Sequence, residues 1–406
     1  MSEYSHNVGM LGRMSDARRA SLHLRLLNLG HFYDHWFMLI YATAVISMTG
    51  HFDLGYGEMM ALSTPGFAAF GLGAVPAGWL GDRWSRSGMM TVFFTGLGVA
   101  SVMVGLSRSP MELAAALTLL GLFASIYHPV AIAMVAEEGA HGHVGRRLGV
   151  NGVWGNMGVA GAAVITGICI DLIGWRSAFI LPGVLSVATG LAYWLITAQA
   201  TRAQDAGPAT PAAGPTEMRL GWQRVLLVVA LTTILASVIF NGATIAMPKV
   251  FEERIAAIAI SATGIGAIAS GVYAVAAFSQ IVVGRAIDRY PVRPLLSVLA
   301  LGQITALSLA AFAMDWSMVA TSVLLMVMVF GQVPVAATLI ARYTPNQVRA
   351  RIYGLQYLLT FGVGASAVPL ISVLHGVTGF QGFFLVMAAL AGLVLLIAQA
   401  LPDTRT

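Results

Sequence analysis

Apolar runs of about twenty residues, repeated along the chain and separated by short polar turns, constrain this sequence more than any other feature. A helix of that length crosses the hydrocarbon core of a bilayer, and a chain of 406 residues with short connections has room for about twelve such spans. The expected fold class is therefore an all-α membrane protein with twelve transmembrane helices. A membrane β-barrel would instead alternate in segments of about ten residues, a pattern not seen here. Charged residues make up only 10% of the chain, against roughly 25% in soluble domains.

The net charge of +5 does not mark a nucleic-acid protein. With the N-terminus placed in the cytoplasm, about eighteen of the Lys and Arg residues fall on that side, the orientation bias of membrane proteins. Arg108, Arg176, Lys249 and Arg254 lie opposite, and no basic stripe is visible. Cys169 is the only cysteine, so neither a disulfide framework nor a cysteine metal site is expected. Residues 1–24 are polar and show no cleavable signal pattern.

The spans read as 25–48, 56–80, 88–106, 110–135, 148–173 and from Gly174 to Ala198, then 222–248, 262–286, 294–313, 317–341, 352–375 and 379–401. Between the two sets, residues 199–221 turn to Ala, Pro, Gly and Thr, a flexible linker. This divides the chain into a tail (1–24), a bundle (25–198), the linker, a second bundle (222–401) and a short C-terminal tail (402–406). The fifth span carries Gly149, Gly152, Gly155, Gly158 and Gly161, a small-residue groove for close helix contact.

The two halves repeat. Gly78-x-x-x-Asp82-Arg83 recurs as Gly284-x-x-x-Asp288-Arg289, an offset of 206 residues, while Gly149 with Gly354 and Phe179 with Phe384 are offset by 205. Six spans per copy is an even number, so both copies face the same way across the membrane.

Inside the first span, Gly30-His31-Phe32-Tyr33-Asp34-His35-Trp36 sets a carboxyl and two imidazoles in an apolar run. An Asp at a helix centre disfavours insertion by roughly 2.5–3.5 kcal/mol, so such a residue is usually retained for proton or substrate work. At 1.5 Å per residue Asp34 lies about 13 Å beyond Arg25, and His128 lies equally far from Glu137, both near the midplane. Gln332 with Pro334 reaches a similar depth, and the repeat pairs Asn241 with Asp34. The candidate substrate and proton-coupling residues are His31, Asp34, His35, Tyr41, His128, Trp154, Asn156, Asn241, Gln332, Gln356 and Tyr357. The competing readings are structural: His35 bonding a carbonyl, His128 beside the Pro129 kink, and Asn156, Gln356 and Tyr357 holding helices together. Asp171 and His375 sit near helix ends and read as solvated.

With these residues in view, the chain resembles the major facilitator superfamily over essentially its whole length. The resemblance implies two pseudo-symmetric six-helix bundles, a midplane cavity and alternating access. A narrower resemblance is to the fosmidomycin-resistance-like transporters, carried by Gly30–Asp34, by Tyr127-His128-Pro129 and by Gly155-Asn156-Met157-Gly158. The chain departs from that group at Val130, where the group has Glu, and at Ala162-Ala163, where it has Gly-Pro. By the same resemblance, Gly78, Asp82, Arg83 and Arg86 would latch the second span against the eleventh near Arg349 and Arg351. Gly284, Asp288 and Arg289 would meet the fifth span near Arg146 and Arg147.

The function expected is a proton-coupled secondary transporter of a small organic solute in a bacterial-type inner membrane, exporting and working as a monomer, with both termini cytoplasmic. The alternatives are a proton symporter importing a metabolite such as a carboxylate, and a non-transporting sensor or scaffold. The partners are then solute, protons and membrane lipid. No Walker-type loop is present, so ATP is not the expected energy source, and without His-Glu-x-x-His spacing an intramembrane enzyme is not expected; neither a metal site nor a cofactor is expected.

Overall fold

The computed structural model describes residues 16–138, 144–197, 218, 220–255 and 261–402. Most of the linker, both chain ends and a few side chains within helices, among them those of Arg146, Arg349 and Arg351, lie outside the described residues. All regular structure among those described is helical.

The first half runs α1 (Asp16–Phe52), α2 (Tyr56–Ala61), α3 (Thr64–Arg83), α4 (Arg86–Leu106), α5 (Pro110–Ala124), α6 (Tyr127–Glu138), α7 (Val144–Leu172) and α8 (Ser177–Thr197). The second runs α9 (Trp222–Arg254), α10 (Ala262–Ala277), α11 (Ser279–Arg289), α12 (Val292–Ala310), α13 (Asp315–Tyr343), α14 (Asn346–Tyr357), a π-helical turn (Leu358–Val363), a 3-10 turn and α15 (Ala367–Ala398). Ten of the helical segments are long and apolar enough to cross a membrane. One of these, Ile352–Ala398, has 47 residues, about 70 Å of helix, and is bent at Gly379, whose φ of 63° suits only a residue without a side chain. α1 is 37 residues long and is not among the ten; His31, Asp34 and His35 lower the hydropathy of its middle.

Several spans that the sequence presents as continuous are broken, and proline explains two of the breaks. The fourth divides at Ser125–Ile126, one turn before Pro129, whose ring cannot tolerate the carbonyl four residues back and whose nitrogen donates nothing. The second divides at Leu62–Ser63, so that Pro65 opens α3, where the donor it lacks would have had no partner in the helix.

Helices approach through glycine. A Cβ on Gly98 would lie 2.4 Å from the Gly183 carbonyl oxygen, which brings α4 against α8. Ser101 and Ser186 donate across that contact to the carbonyls of Phe179 and Phe94, at 2.7 and 2.8 Å. The glycine stripe of α7 splits its work: Gly158 admits the Phe32 carbonyl of α1, whereas Gly149 and Gly152 have open space before them.

One large apolar core runs through both halves. A second, separate core of Val225, Val228, Leu296, Val335, Leu339 and Tyr343 occupies the end of the second half nearest Arg224, Arg289 and Arg342. At this basic face the halves do not share a core, because a cavity separates them. At the opposite face they meet closely, through Gly167 and Gly266 of α7 and α10 and through Gly57 of α2 against Ser372 of α15. Outward-facing Leu72, Trp79, Leu185, Trp194, Leu301 and Leu396 are exposed, the surface a lipid-facing helix presents.

Candidate functional site

A cavity of about 320 Å³ lies between the halves. It extends from His31, His35 and His128 toward Val229, Leu296, Leu339 and Tyr353, near the basic ends of the second-half helices. Seven of the residues singled out from sequence line it: His31, His35, His128, Asn156, Gln332, Gln356 and Tyr357.

Asp34 does not line it. Its side chain is fully buried, and His128 stands between it and the cavity with Nε2 3.1 Å from Oδ2. The pair is out of line for a hydrogen bond, and neither Asp34 oxygen has one among the described residues. A carboxyl without aligned donors in an apolar setting costs several kcal/mol.

The expectation also placed Tyr41, Trp154 and Asn241 at the site, and the structure puts them elsewhere. Tyr41 is buried and donates to the Met59 carbonyl at 2.6 Å, on the closed face. Trp154 is half-buried on α7 beside the lining rather than in it. Asn241 occupies the repeat position of Asp34, yet its amide donates back to the Ser237 carbonyl at 2.9 Å and abuts Gly364. Duplication fixed its depth and not its rotation about the helix axis.

The imidazoles are held by a buried polar network that the sequence reading missed. His31 Nδ1 donates to the Asn151 carbonyl at 2.8 Å, and its ring stacks on Tyr127 with centroids 4.9 Å apart. The Asn151 side-chain amide donates to Asn28 Oδ1 at 3.0 Å and to Tyr127 Oη at 2.8 Å. Tyr127 in turn donates to the Leu27 carbonyl at 2.8 Å. Asn28, one turn before His31, was the available signal. Replacing Asn151 with Ala strands the Asn28 and Tyr127 oxygens, so thermal unfolding in detergent should show a loss of about 1–3 kcal/mol. Tyr127→Phe should cost less, and equal stability of Asn151→Ala and the parent would show the network to be dispensable.

Beside the imidazoles, Asn156 of α7 faces Gln280 of α11 across the cavity, with amide contacts of 3.4 and 3.5 Å. Gln332 accepts from buried Gln303 at 2.7 Å. Phe361, in the π-helical turn, brings its ring to 4.6 Å from His128. Among the described residues, no Lys, Arg, Asp or Glu lines the cavity.

The gating candidates lie at the basic face. Arg86 holds Asp82 one turn back at 2.7 Å and also pairs with Glu137, tying α3, α4 and α6 together. Gly78 lets Pro129 approach, with a Cβ there 3.2 Å from the proline ring, and Arg83 sits over the Trp79 ring at 5.0 Å. The side chains of Arg349 and Arg351, expected to complete the latch, lie outside the described residues. Around the second Gly-x-x-x-Asp-Arg turn, Gly284 has open space, Arg289 is exposed and Asp288 approaches Arg342 at 3.9 Å; the Arg146 side chain, expected near Asp288 on the fifth span, lies outside the described residues. Among the described residues, Asp82 meets Arg86 and Asp288 meets Arg342.

Asp171 and His375 are not simply solvated. Asp171 at the end of α7 accepts from the backbone nitrogens of Ala262 and Thr263 at 3.1 and 2.8 Å, closing the opposite face across the two halves. His375 pairs with Glu253 at 2.8 Å, and Glu253 also meets Lys249 at 3.4 Å.

Comparison with known proteins agrees with this arrangement. A bacterial homologue of the human lysosomal transporter Spinster, in an inward-facing and occupied conformation, superposes with a TM-score of 0.77 at 15% identity, over 95% of this chain and 97% of that one. A D-xylose–proton symporter superposes with a TM-score of 0.74 at 15% identity, over 94% and 97%. In sequence, the tetracenomycin C resistance and export protein of Streptomyces glaucescens is 30% identical over 139 residues, 33% of this chain and 26% of that protein. The chain thus spans about a quarter of the curated relative it matches. The sequence model of the Major Facilitator Superfamily matches residues 27–257 and 229–405. This multi-pass membrane protein belongs to the Major Facilitator Superfamily, a family of transporters and not of enzymes.

Proposed function

We propose that the chain is a proton-coupled secondary active transporter that exports a small organic solute by alternating access. In this reading, twelve spans form two six-helix bundles, 25–198 and 222–401, joined by a linker over 199–221. Both termini are cytoplasmic, and the monomer is the working unit. The single observation carrying this reading is the cavity between the halves, polar at mid-depth, extending to the basic face and closed at the other. Arginine-rich ends mark the cytoplasmic side of membrane proteins, so the conformation is inward-facing.

Asp34 supplies the coupling site. It is the one carboxyl in the middle of α1, it lies against the cavity-lining His128, and no aligned hydrogen bond among the described residues offsets its burial. Moving one charge through 100 mV provides about 2.3 kcal/mol. Export is favoured by the fosmidomycin-resistance-like residues of α1, α6 and α7 and by the partial match to an efflux protein.

The test is thermal-shift screening of purified protein against metabolites and drugs, followed by flux of each hit into proteoliposomes under an imposed pH gradient. Flux indifferent to the gradient and to a protonophore would remove the coupling. Absence of flux for every stabilising hit would favour a sensor or scaffold.

The latch makes a separate prediction. The Asp82 side chain is 68% exposed, so Asp82→Asn should change stability by less than about 1 kcal/mol. The same substitution should raise, several-fold, the labelling rate of a cysteine introduced at Ala336 on the cavity wall in a Cys169→Ala background. An unaltered rate would reject a gating role for Asp82.

A further inference from the structure

His31 and His35, one turn apart on α1, meet His128 of α6 on one wall of the cavity. Their ring centroids are 5.0, 5.3 and 5.6 Å apart, a nearly equilateral triangle. Each ring offers a nitrogen within 4.8 Å of the other two. A hydrogen-bonded relay strings imidazoles in line; three converging on one point make a donor set.

The groups behind the rings have the form of a ligand's support. The Asn151 carbonyl takes the Nδ1 proton of His31 at 2.8 Å, which fixes the tautomer that leaves Nε2 with a lone pair. That Nε2 is buried and has no hydrogen-bond partner among the described residues. Asp34 Oδ2 stands 3.1 Å from His128 Nε2, so a small rotation would give that N–H the carboxylate that orients metal-binding histidines, and it leaves the buried, unpartnered Nδ1 of His128 for the ion. Gly155 gives the first ring its place, since a Cβ there would lie 2.7 Å from both Cε1 and Nε2 of His31.

Tetrahedral metal–nitrogen bonds of about 2.0–2.1 Å set ligand nitrogens roughly 3.3 Å apart, so each ring needs to close in by about 1 Å. Three imidazoles without thiolate suit zinc, cobalt, nickel or copper ions, whereas magnesium and calcium ions require oxygen donors. Three protein ligands leave a fourth position open. Here it faces a cavity of about 320 Å³, about ten times the share of one water, with the Asn156, Gln280, Gln332 and Gln356 amides beyond.

We propose that His31, His35 and His128 bind one divalent ion of the zinc, cobalt, nickel and copper group, and that the solute docks onto the ion's open position. The second clause rests on the transporter reading; the first stands without it.

Full-length protein without a histidine tag, in detergent, is titrated with Co²⁺ and then with Zn²⁺. The expected result is one equivalent of Co²⁺ giving the visible absorption of a four-coordinate ion, displaced by Zn²⁺ and indifferent to Mg²⁺. The affinity should fall at least tenfold in both His31→Gln and His35→Gln. No saturable binding by the unmodified protein overturns the proposal without any variant, as does binding that both variants retain unchanged. Flux of screening hits is then compared with and without a chelator. If the ion binds but chelation leaves flux unchanged, the docking clause fails and the metal site stands. If the ion binds and no solute moves under any condition, the transporter reading fails instead.

Discussion

Asp34→Asn is expected to abolish solute accumulation driven by a pH gradient and, at the same time, to raise the melting temperature of the purified protein. Both effects follow from one observation: a fully buried carboxyl whose two oxygens lack aligned hydrogen bonds, with a single imidazole at 3.1 Å. Asn has nearly the same shape and carries no charge, so it removes the ionic part of the burial cost, on the order of 1–3 kcal/mol, without opening a cavity. For a protein of this size that is a rise of a few degrees. Counterflow exchange, which needs binding and reorientation but no proton gradient, should persist. A gain in stability bought with function is the mark of a site kept for its chemistry. If Asp34→Asn lost stability and kept gradient-driven flux, the residue would be a packing element and the coupling assignment would fall.

Gly266→Ala is expected to shift the conformational equilibrium toward opening of the non-basic face by about tenfold to a hundredfold. A Cβ at Gly266 would lie 2.3 Å from the Ala163 carbonyl oxygen and 2.9 Å from the Val164 Cα. Those atoms belong to a helix backbone and cannot step aside as a side chain would. Overpacking of this kind costs about 1–3 kcal/mol, and each 1.4 kcal/mol is a factor of ten in population. The cost falls only on the conformation in which α7 and α10 are in contact, so any state with that seam open gains by comparison.

Gly71→Ala should act in the same direction, because its Cβ would lie 2.4 Å from the Gly362 Cα across the other seam between the halves. Gly98→Ala is the control. It meets the Gly183 carbonyl oxygen at 2.4 Å, but within one half, so it should lower stability and leave the equilibrium alone. The readout is the labelling rate of Ser372→Cys in a Cys169→Ala background, since Ser372 donates to the Gly57 carbonyl at 2.7 Å when this face is closed. Equal rates in Gly266→Ala, Gly98→Ala and the parent would mean that the two halves do not separate along these seams.

How far the site could be read in advance differs residue by residue. The spacing of His31 and His35 by four residues on a helix already placed two imidazoles on one face. Depth counting brought His128 level with them, and the cavity includes all three. The same counting chose Tyr41 and Asn241, which are turned toward the Met59 carbonyl and toward Ser237 and Gly364. Depth along the membrane normal is a sum over residues, whereas the direction of a side chain around its axis depends on how the helix is rotated against its neighbours. Asn28, Gln280 and Gln303 were missed for the same reason, because single amides in apolar helices gain meaning only from what they face.

The sequence by itself determined that the chain crosses a membrane many times, that charge is sparse outside its turns, and that the Gly-x-x-x-Asp-Arg turn occurs twice, 206 residues apart. Those properties follow from length, hydropathy and charge measured against a planar solvent, and they need no knowledge of which helix touches which. Only the tertiary structure decided that Asp34 stands behind His128, that three imidazoles converge, and that the halves close at one face while parting at the other. Such outcomes depend on helix rotation and crossing, set by contacts such as Gly158 with Phe32 and Gly266 with Ala163, between residues that no local pattern connects.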